Sequence, residues 1–102
     1  MDANGKPTGI HHRVTSQSIT QRAFGLPKDT LDPFMVEYAV APYGIPNSQH
    51  DLVLHDAGLR VGYYRAVSHK QNCYANECFM DEMAKAAGKD PVDYRLSLLA
   101  DK

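Results

Sequence analysis

Residues Val61–Leu99 decide the fold, and they read VGYYRAVSHKQNCYANECFMDEMAKAAGKDPVDYRLSLL. The pattern predicts a short aromatic strand, a polar turn, one long amphipathic helix and a second helix. Ser68 is the predicted N-cap of the long helix, because Gln71 follows it at the spacing of a capping box. Gly88 is expected to end that helix in the left-handed conformation. The pair Asp90-Pro91 then begins the next helix.

The long helix has a predicted apolar face and a predicted water-facing face. The apolar face consists of residues at helical spacing, with one cysteine beside them: Ala75, Phe79, Met83, Ala86 and Cys78. The water-facing side chains are all charged: Glu77, Asp81 and Lys85. Phe79 is therefore expected to be buried.

The chain before Val61 is predicted to contain short strands. β-branched residues favour a strand over Gly9–Ser16, and an apolar run bounded by polar residues favours another within Gln49–Asp56. Leu59–Tyr64 is predicted to pair with this second strand as a hairpin, across a turn at Ala57-Gly58.

The remaining segments are predicted to be loops and turns. Arg22–Asp32 lacks periodicity and is predicted to be loop, after which the pair Asp32-Pro33 begins one or two helical turns. Residues 1–8 are rich in turn formers and are predicted to be a disordered start. The sequence thus predicts one α+β domain or fragment, with short β-strands or a hairpin among the loops of residues 9–64, followed by two helices in residues 68–100.

Composition excludes several functional classes. The chain has 102 residues and a net charge of -1, which allows one domain at most and provides no basic excess for a nucleic-acid partner. No apolar run is long enough to span a bilayer, so no membrane partner is expected. The polar start, Met1–Pro7, lacks the apolar core of a signal peptide. A cytoplasmic chain is therefore expected, while a periplasmic location stays open for a longer parent protein.

Histidine and cysteine side chains are the candidates for metal or thiol chemistry. The five histidines and two cysteines show none of the usual zinc-site spacings, so no metal site is predicted. Cys73 and Cys78 lie on different helix faces, so free thiols are expected rather than a disulfide. Cys73 lies one turn after His69, near a helix N-terminus that would activate a thiol. The alternative, a small buried residue, is the more common role of a free cysteine.

The turn before the long helix is a candidate anion site. Backbone N–H groups collect at a helix N-terminus, and the helix dipole favours negative charge there. Arg65 adds a fixed positive charge. The alternative is purely structural: Arg65 pairs with a carboxylate and Ser68 caps the helix.

Several motifs in and around this turn can be compared with those of known protein families. They are Gly62–Asn72 (GYYRAVSHKQN), Glu77–Glu82 (ECFMDE) and Ala86–Arg95 (AAGKDPVDYR), preceded by Pro42–Asn47 (PYGIPN) and Ser16–Ile19 (SQSI). Together they resemble the large subunit of molybdenum hydroxylases, the xanthine dehydrogenase and aldehyde oxidase superfamily. The isoquinoline 1-oxidoreductase β-subunit branch is the most similar in these motifs.

The resemblance implies a molybdenum–pterin (molybdopterin) cofactor, often as its cytosine dinucleotide. It implies hydroxylation of N-heterocycles or aldehydes with water as the oxygen source. It also implies two protein partners, the remainder of the large subunit and a small subunit with two [2Fe–2S] clusters. The implied cofactor-binding residues are Arg65, Ala66, Val67, Ser68 and Gln71. Arg65 and Ala66 would present N–H groups, Val67 would line the substrate pocket, and Gln71 would brace the turn.

The sequence departs from the family pattern in two respects. Ser68 stands where the family commonly has Gly, which restricts the backbone. The chain also lacks the Gly-x-Gly-Glu segment that supplies the family's catalytic base and the Gly-Gly-x-Phe-Gly loop that cradles the pterin. We therefore expect a fragment of an oxidoreductase that is inactive alone and has no catalytic residue. The alternative is a non-catalytic interaction or scaffold domain that keeps part of that fold.

Overall fold

The computed structural model describes residues 1–99 as an α+β fold. Its strands are β1, Ile10–Ser16, and β2, Ser48–Leu54. Its helices are α1, Ile19–Phe24, then a short 3₁₀ helix, Pro33–Met35, then α2, His69–Ala86, and α3, Pro91–Leu99. The predicted α+β class, both predicted upstream strands and the C-terminal pair of helices are confirmed.

The two strands pair in parallel, from Ile10 opposite Ser48 to Ser16 opposite Leu54. The predicted hairpin is wrong, because no strand forms over residues 59–64. The chain does turn after β2, where the Asp56 carboxylate accepts a hydrogen bond from Gly58 N at 2.9 Å. Beyond that turn the chain leaves the sheet, and the Tyr63 ring packs edge-on against Phe34 with centroids 5.6 Å apart.

Asp32 organises the connection between the strands. Its buried carboxylate accepts hydrogen bonds from Ile19 N at 2.8 Å and Thr20 N at 3.0 Å, at the start of α1. Its other oxygen accepts from Phe34 N at 3.1 Å and caps the 3₁₀ helix. The helical turn predicted after Asp32 is confirmed, whereas the last part of α1 covers residues 22–24, which were predicted to be loop. Six residues are too few to carry a clear helical period, and tertiary hydrogen bonds stabilise this helix instead.

The apolar core lies between α2 and α3. It consists of four buried side chains, Met80, Ala84, Tyr94 and Leu98. On α2, the buried residues are Asn72, Asn76, Met80 and Ala84, so the predicted stripe through Phe79 is wrong by about one residue. Phe79 is 47% exposed, whereas Met80 is 2% exposed.

Local interactions fix the connection between α2 and α3. Asp90 accepts hydrogen bonds from Val92 N at 2.8 Å and Asp93 N at 3.1 Å, which starts α3 as predicted. Gly88 has a φ of 66°, the predicted left-handed helix end.

Residues 1–8, for which a disordered start was expected, form a turn against the helical pair. Tyr94 Oη donates a hydrogen bond to the carbonyl of the buried Gly5 at 2.9 Å. A Cβ on Gly5 would lie 2.6 Å from the Cβ of Ala87, and φ there is 76°. Only glycine meets both conditions without strain.

The molecule is elongated, with extents of 48 × 24 × 24 Å and a radius of gyration of 16.0 Å. A compact domain of about 100 residues would have a radius of about 13 Å. Several large apolar side chains are exposed, among them Phe24, Leu31, Leu59 and Leu96. None of the helices within residues 1–99 combines the length and hydropathy needed to cross a membrane.

Candidate functional site: the turn before the long helix

The predicted cofactor-facing residues form a compact turn. Arg65–Ser68 immediately precedes α2, and Gln71 lies in its first helical turn. Two hydrogen bonds shape the turn, from Val67 N to the Tyr64 carbonyl and from His69 N to the Ala66 carbonyl, both 2.8 Å. The structure therefore brings the five predicted residues together at one end of α2.

The backbone of this turn is strained. Ala66 has a φ of 63° and Val67 a φ of 41°, a left-handed region that side-chain-bearing residues rarely adopt and that is least favourable for a β-branched one. Such residues cost on the order of 1–3 kcal/mol each and persist where surrounding contacts hold them in place.

Ser68 supplies one of these contacts. It is 1% exposed, and its hydroxyl donates a hydrogen bond to the Phe34 carbonyl. It makes no side-chain cap on α2, so the predicted capping box is wrong. Because its hydroxyl is committed to Phe34, the role that the structure supports for the Ser68 side chain is to anchor the turn.

A segment upstream, residues 34–39, lies along the start of α2, and we call it the strap. Asn72 Nδ2 donates to the strap carbonyls of Met35 at 3.2 Å and Glu37 at 2.9 Å. Asn76 Nδ2 donates to the Tyr38 carbonyl at 2.6 Å and the Ala39 carbonyl at 3.3 Å. These two asparagines are the polar residues buried on α2, and together with Ser68 they bind the strap to the helix.

The outward side of the turn keeps its hydrogen-bonding groups available. Arg65 and Ala66 are exposed, and within residues 1–99 their backbone N–H groups have no acceptor. The Arg65 guanidinium has no carboxylate partner in the same range, so the structural alternative of an Arg65 ion pair is wrong there. The Gln71 side chain is exposed and makes no hydrogen bond with the described residues, so its bracing role stays a prediction.

A groove of about 520 Å³ opens beside the turn. We call it the basic groove, because the charged residues that line it are Arg60 and Lys70, and no carboxylate lines it. His55 lines it as well. Its walls include Val67 and Gln71 from the predicted site. Lys70 Nζ lies 4.4 Å from the centroid of the Tyr64 ring, which holds the ammonium group near the groove.

A second polar cluster, which was not predicted from the sequence, joins the C-terminal end of the strap to α2 and α3. Glu77 accepts hydrogen bonds from Tyr38 Oη at 3.0 Å, from Tyr43 Oη at 2.8 Å and from Arg95 Nε at 2.8 Å. Arg95 also donates to Asp81 at 2.7 Å. Glu77, predicted to face water, is instead the centre of this cluster.

The electrostatics of the Glu77 cluster follow from its geometry. Burial and the hydrogen bond to the Glu77 carboxylate raise the pKa of Tyr43 to about 12. Burial alone would raise the pKa of Glu77, but its hydrogen bonds from Arg95, Tyr43 and Tyr38 outweigh burial and lower it. The Glu77 carboxylate is therefore held in its charged form by three hydrogen-bond donors. This arrangement suits a residue that links segments of the fold and does not suit a proton-accepting base.

The thiol and metal candidates gain no support from the described part of the chain. Cys73 is a half-buried free thiol, and no hydrogen bond joins it to His69 there. The His69 ring instead pairs with Glu37, at 3.1 Å between Nδ1 and Oε2. Residues 1–99 contain no group of three or more histidine, cysteine or acidic side chains placed to hold a metal ion.

Comparisons with known proteins connect the chain to oxidoreductases. It is 49% identical over 43 residues to one of the subunits of a nicotinate dehydrogenase from Pseudomonas putida, which is 42% of this chain and 4% of that protein. It is 30% identical over 102 residues to a membrane-bound aldehyde dehydrogenase (pyrroloquinoline-quinone) of Gluconacetobacter polyoxogenes, which covers 95% of this chain and 12% of that protein. The chain thus spans a small part of each relative. No protein-family model matches it, and no solved structure matches it significantly. The relationship shown is to dehydrogenases of the oxidoreductase class.

Proposed function

We propose that this chain is the cofactor-facing segment of a molybdenum–pterin oxidoreductase that hydroxylates N-heterocycles or aldehydes with oxygen from water. The observation that carries the proposal is the strained turn, in which Ala66 and Val67 both have positive φ. Strain of this kind is retained where a functional geometry depends on it. The motif Gly62–Asn72 and the similarity to two dehydrogenases support the same assignment.

The residues present fit an anionic cofactor in two respects. Unpaired backbone N–H groups at Arg65 and Ala66 are donors suited to oxygen atoms of an anion. The basic groove next to them has cationic side chains and no carboxylate. Arg65 and Ala66 would therefore hold the group, and Val67 would line the adjoining space.

The cofactor, when bound, would supply the redox chemistry of the hydroxylation, and the chain would supply binding and orientation. A general base must lie within hydrogen-bond reach of the proton that it accepts. The strongest carboxylate candidate near α2, Glu77, already accepts three hydrogen bonds and has a lowered pKa. We infer that the base belongs to another part of the parent enzyme, as do the iron–sulfur partner and the electron acceptor.

The names of the two relatives suggest a direct test of cofactor identity. The protein that contains this chain should be purified from its native host and analysed for molybdenum by mass spectrometry and for extractable quinone. Molybdenum in a fixed ratio to protein, without pyrroloquinoline quinone, is the expected result. Quinone without molybdenum would overturn the proposal and favour a quinone-dependent dehydrogenase.

Arg65→Ala tests the assigned turn in the same holoprotein. The variant should retain less molybdenum than wild type, because it loses the fixed charge beside the unpaired amides. The 102-residue chain carrying Arg65→Ala should keep its melting temperature, since the guanidinium has no partner within residues 1–99. Arg22→Ala, an exposed arginine distant from the turn in sequence, is the matched control. Equal molybdenum retention in both variants would contradict a cofactor role for Arg65.

A non-catalytic interaction domain is the second candidate. The exposed apolar side chains, including Leu31, Leu59 and Leu96, favour it, because surfaces of this kind mark contacts with other protein segments. Absence of both molybdenum and quinone from the native protein would favour this alternative.

A further inference from the structure

Phe34, the first residue of the strap, contacts both flanks of the strained turn. Before the turn, the Tyr63 ring packs edge-on against the Phe34 ring, with centroids 5.6 Å apart and an angle of 89° between the planes. After the turn, the buried hydroxyl of Ser68 donates a hydrogen bond to the Phe34 carbonyl. Residues 65–67 lie between these two contacts in the sequence. A single upstream residue therefore holds both ends of the turn.

Phe34 is itself held in place by buried polar groups. Its N–H donates to the Asp32 carboxylate at 3.1 Å, and Asp32 is 0% exposed. The next carbonyl along the strap, that of Met35, accepts from the buried side chain of Asn72 at 3.2 Å. Satisfied hydrogen bonds among buried groups rigidify the segment that carries them. Phe34 is thus a fixed support rather than a mobile loop residue.

The conformation of the turn requires support of this kind. Ala66 and Val67 have positive φ angles of 63° and 41°, and a strained backbone persists only where surrounding contacts hold it. Arg65 and Ala66 are exposed, so their side chains contribute little packing that could do so. The supporting contacts therefore lie at the flanks, where Phe34 makes one on each side.

We propose that Phe34 is a positioning residue for the unpaired N–H groups of Arg65 and Ala66. Its ring and its carbonyl fix the two flanks of the turn, and the flanks set the direction of these donors. Donors that are already oriented bind an anion more tightly than mobile ones, because binding does not have to order them. This role rests on the proposed function for the identity of the bound anion. The coupling of Phe34 to the turn does not depend on it.

Two substitutions, each of which removes one flank contact, test this role in the full-length holoprotein. Phe34→Leu removes the ring and keeps an apolar side chain. Ser68→Ala removes the hydroxyl and leaves the ring contact in place, so it decides the matter if Phe34→Leu does not fold. Phe34→Tyr keeps the ring and the carbonyl and should behave as wild type. Circular dichroism verifies that each variant folds.

The chain offers a matched control for each contact. Phe24→Leu controls for the loss of a ring, because Phe24 also contacts Tyr63, with centroids 6.4 Å apart, but is 66% exposed and lies outside the strap. Asn76→Leu controls for the loss of a strap hydrogen bond, because Asn76 binds the far end of the strap at the Tyr38 carbonyl.

Hydrogen exchange of the turn is the direct measurement. The N–H groups of Val67 and His69 make the two internal hydrogen bonds of the turn, so their exchange reports on its opening. Both should exchange about tenfold faster in Phe34→Leu and in Ser68→Ala, roughly the factor for one lost hydrogen bond or aromatic contact. Phe34→Tyr and the two controls should leave the exchange unchanged. Unchanged exchange in Phe34→Leu and Ser68→Ala, or equal acceleration in Asn76→Leu, overturns the positioning role.

Molybdenum analysis of the same proteins separates this role from the proposed function. Phe34→Leu and Ser68→Ala should retain less molybdenum than Asn76→Leu, and the electron paramagnetic resonance spectrum of the retained metal should change. Wild-type protein without molybdenum would overturn the proposed function, and the exchange rates would still decide whether Phe34 positions the turn. Faster exchange with unchanged molybdenum retention and an unchanged spectrum would overturn the role of Phe34 in binding the anion.

Discussion

The C-terminal region, residues 68–99, and the N-terminal region, residues 10–54, are stabilised by different interactions. In the C-terminal region, Met80, Ala84, Tyr94 and Leu98 form one buried apolar cluster between two helices. In the N-terminal region, no residue of β1 or β2 is fully buried. Half of the residues buried there are polar, and the buried carboxylate of Asp32 binds two of its segments together.

The difference indicates which region can fold with its own contacts. The apolar area that α2 and α3 bury against each other stabilises the C-terminal region without contacts from β1 or β2. A two-stranded sheet is marginal in water unless further strands or a helix cover it. The N-terminal region also leaves both ring nitrogens of His50 buried without a hydrogen-bond partner among the described residues, a cost that a complete domain usually avoids. We infer that the N-terminal region requires covering contacts from outside these residues.

The largest predicted effect breaks the C-terminal core. Met80→Ala should lower the free energy of unfolding by about 3 kcal/mol, because it opens a cavity in the cluster. Phe79→Ala, one residue earlier, should cost less than about 1 kcal/mol, because nearly half of that side chain is in water. Urea denaturation followed by circular dichroism measures both. Equal losses from the two substitutions would mean that the buried face of α2 is not the one described.

The next largest effect is expected from a substitution of Asp32, the buried carboxylate of the N-terminal region. Asp32→Asn should cost about 2–3 kcal/mol, since the carboxylate caps α1 and the 3₁₀ helix at once. Asp29→Asn, an exposed carboxylate nearby in sequence, is the control and should change little. Hydrogen exchange should show the loss mainly in residues 10–54. A loss spread equally over α2 and α3 would contradict the separation of the two regions.

Asp32 also predicts a pH dependence. Burial by itself raises the pKa of Asp32, but hydrogen bonds from Thr20, Ser18 and Ile19 outweigh burial and lower it below its usual value. A group whose pKa is lower in the folded state stabilises the fold above its unfolded pKa of about 4. That contribution is lost as the pH falls through the folded pKa. Wild type should therefore lose more stability than Asp32→Asn between pH 5 and pH 2, roughly the range given by this linkage. Parallel stability curves would exclude this role.

A smaller effect is expected from substitutions in the Glu77 cluster, which joins the C-terminal helices to the upstream loop. Arg95→Met should cost about 1–2 kcal/mol, because the guanidinium joins α3 to Glu77 and Glu77 binds Tyr38 and Tyr43 from the upstream loop. Asp81→Asn removes only the exposed contact of the same guanidinium and should cost less than about 0.5 kcal/mol. Thermal unfolding of both variants measures the difference. If Asp81→Asn costs as much as Arg95→Met, the joint does not depend on Glu77.

Local chemistry made part of this fold predictable. The starts at Asp32 and Asp90 and the end at Gly88 depend on a few neighbouring residues, and all three are confirmed. The buried face of α2 was not predictable from apolar periodicity, because Asn72 and Asn76 occupy it. They are buried to bind strap carbonyls from residues about 35 positions earlier. Their i,i+4 spacing was the one local signal that a polar stripe lies on the helix.

The candidate site shows the same division. The position of the turn at Arg65–Ser68 follows from the polar segment that precedes the long helix, although the strand predicted before that segment does not form. The anchoring of Ser68 on Phe34 and the Glu77 cluster depend on contacts between distant parts of the chain, which no local pattern encodes. The parallel strand pairing was missed for the same reason, because it joins Ile10 to Ser48 across a long connection.

The smallest predicted effect concerns the turn that links the two regions, and it has the opposite sign. Ala66 is exposed with a φ of 63°, a conformation that glycine adopts without steric cost. Ala66→Gly should raise the stability of the chain by roughly 0.5 kcal/mol, since relief of the strain exceeds the added entropy of the unfolded chain. Ala57→Gly, at an exposed loop position with no positive φ, is the control and should lower stability slightly. If both substitutions destabilise the chain equally, the turn is not strained. The main structural argument for the cofactor-facing role of Arg65 and Ala66 then fails.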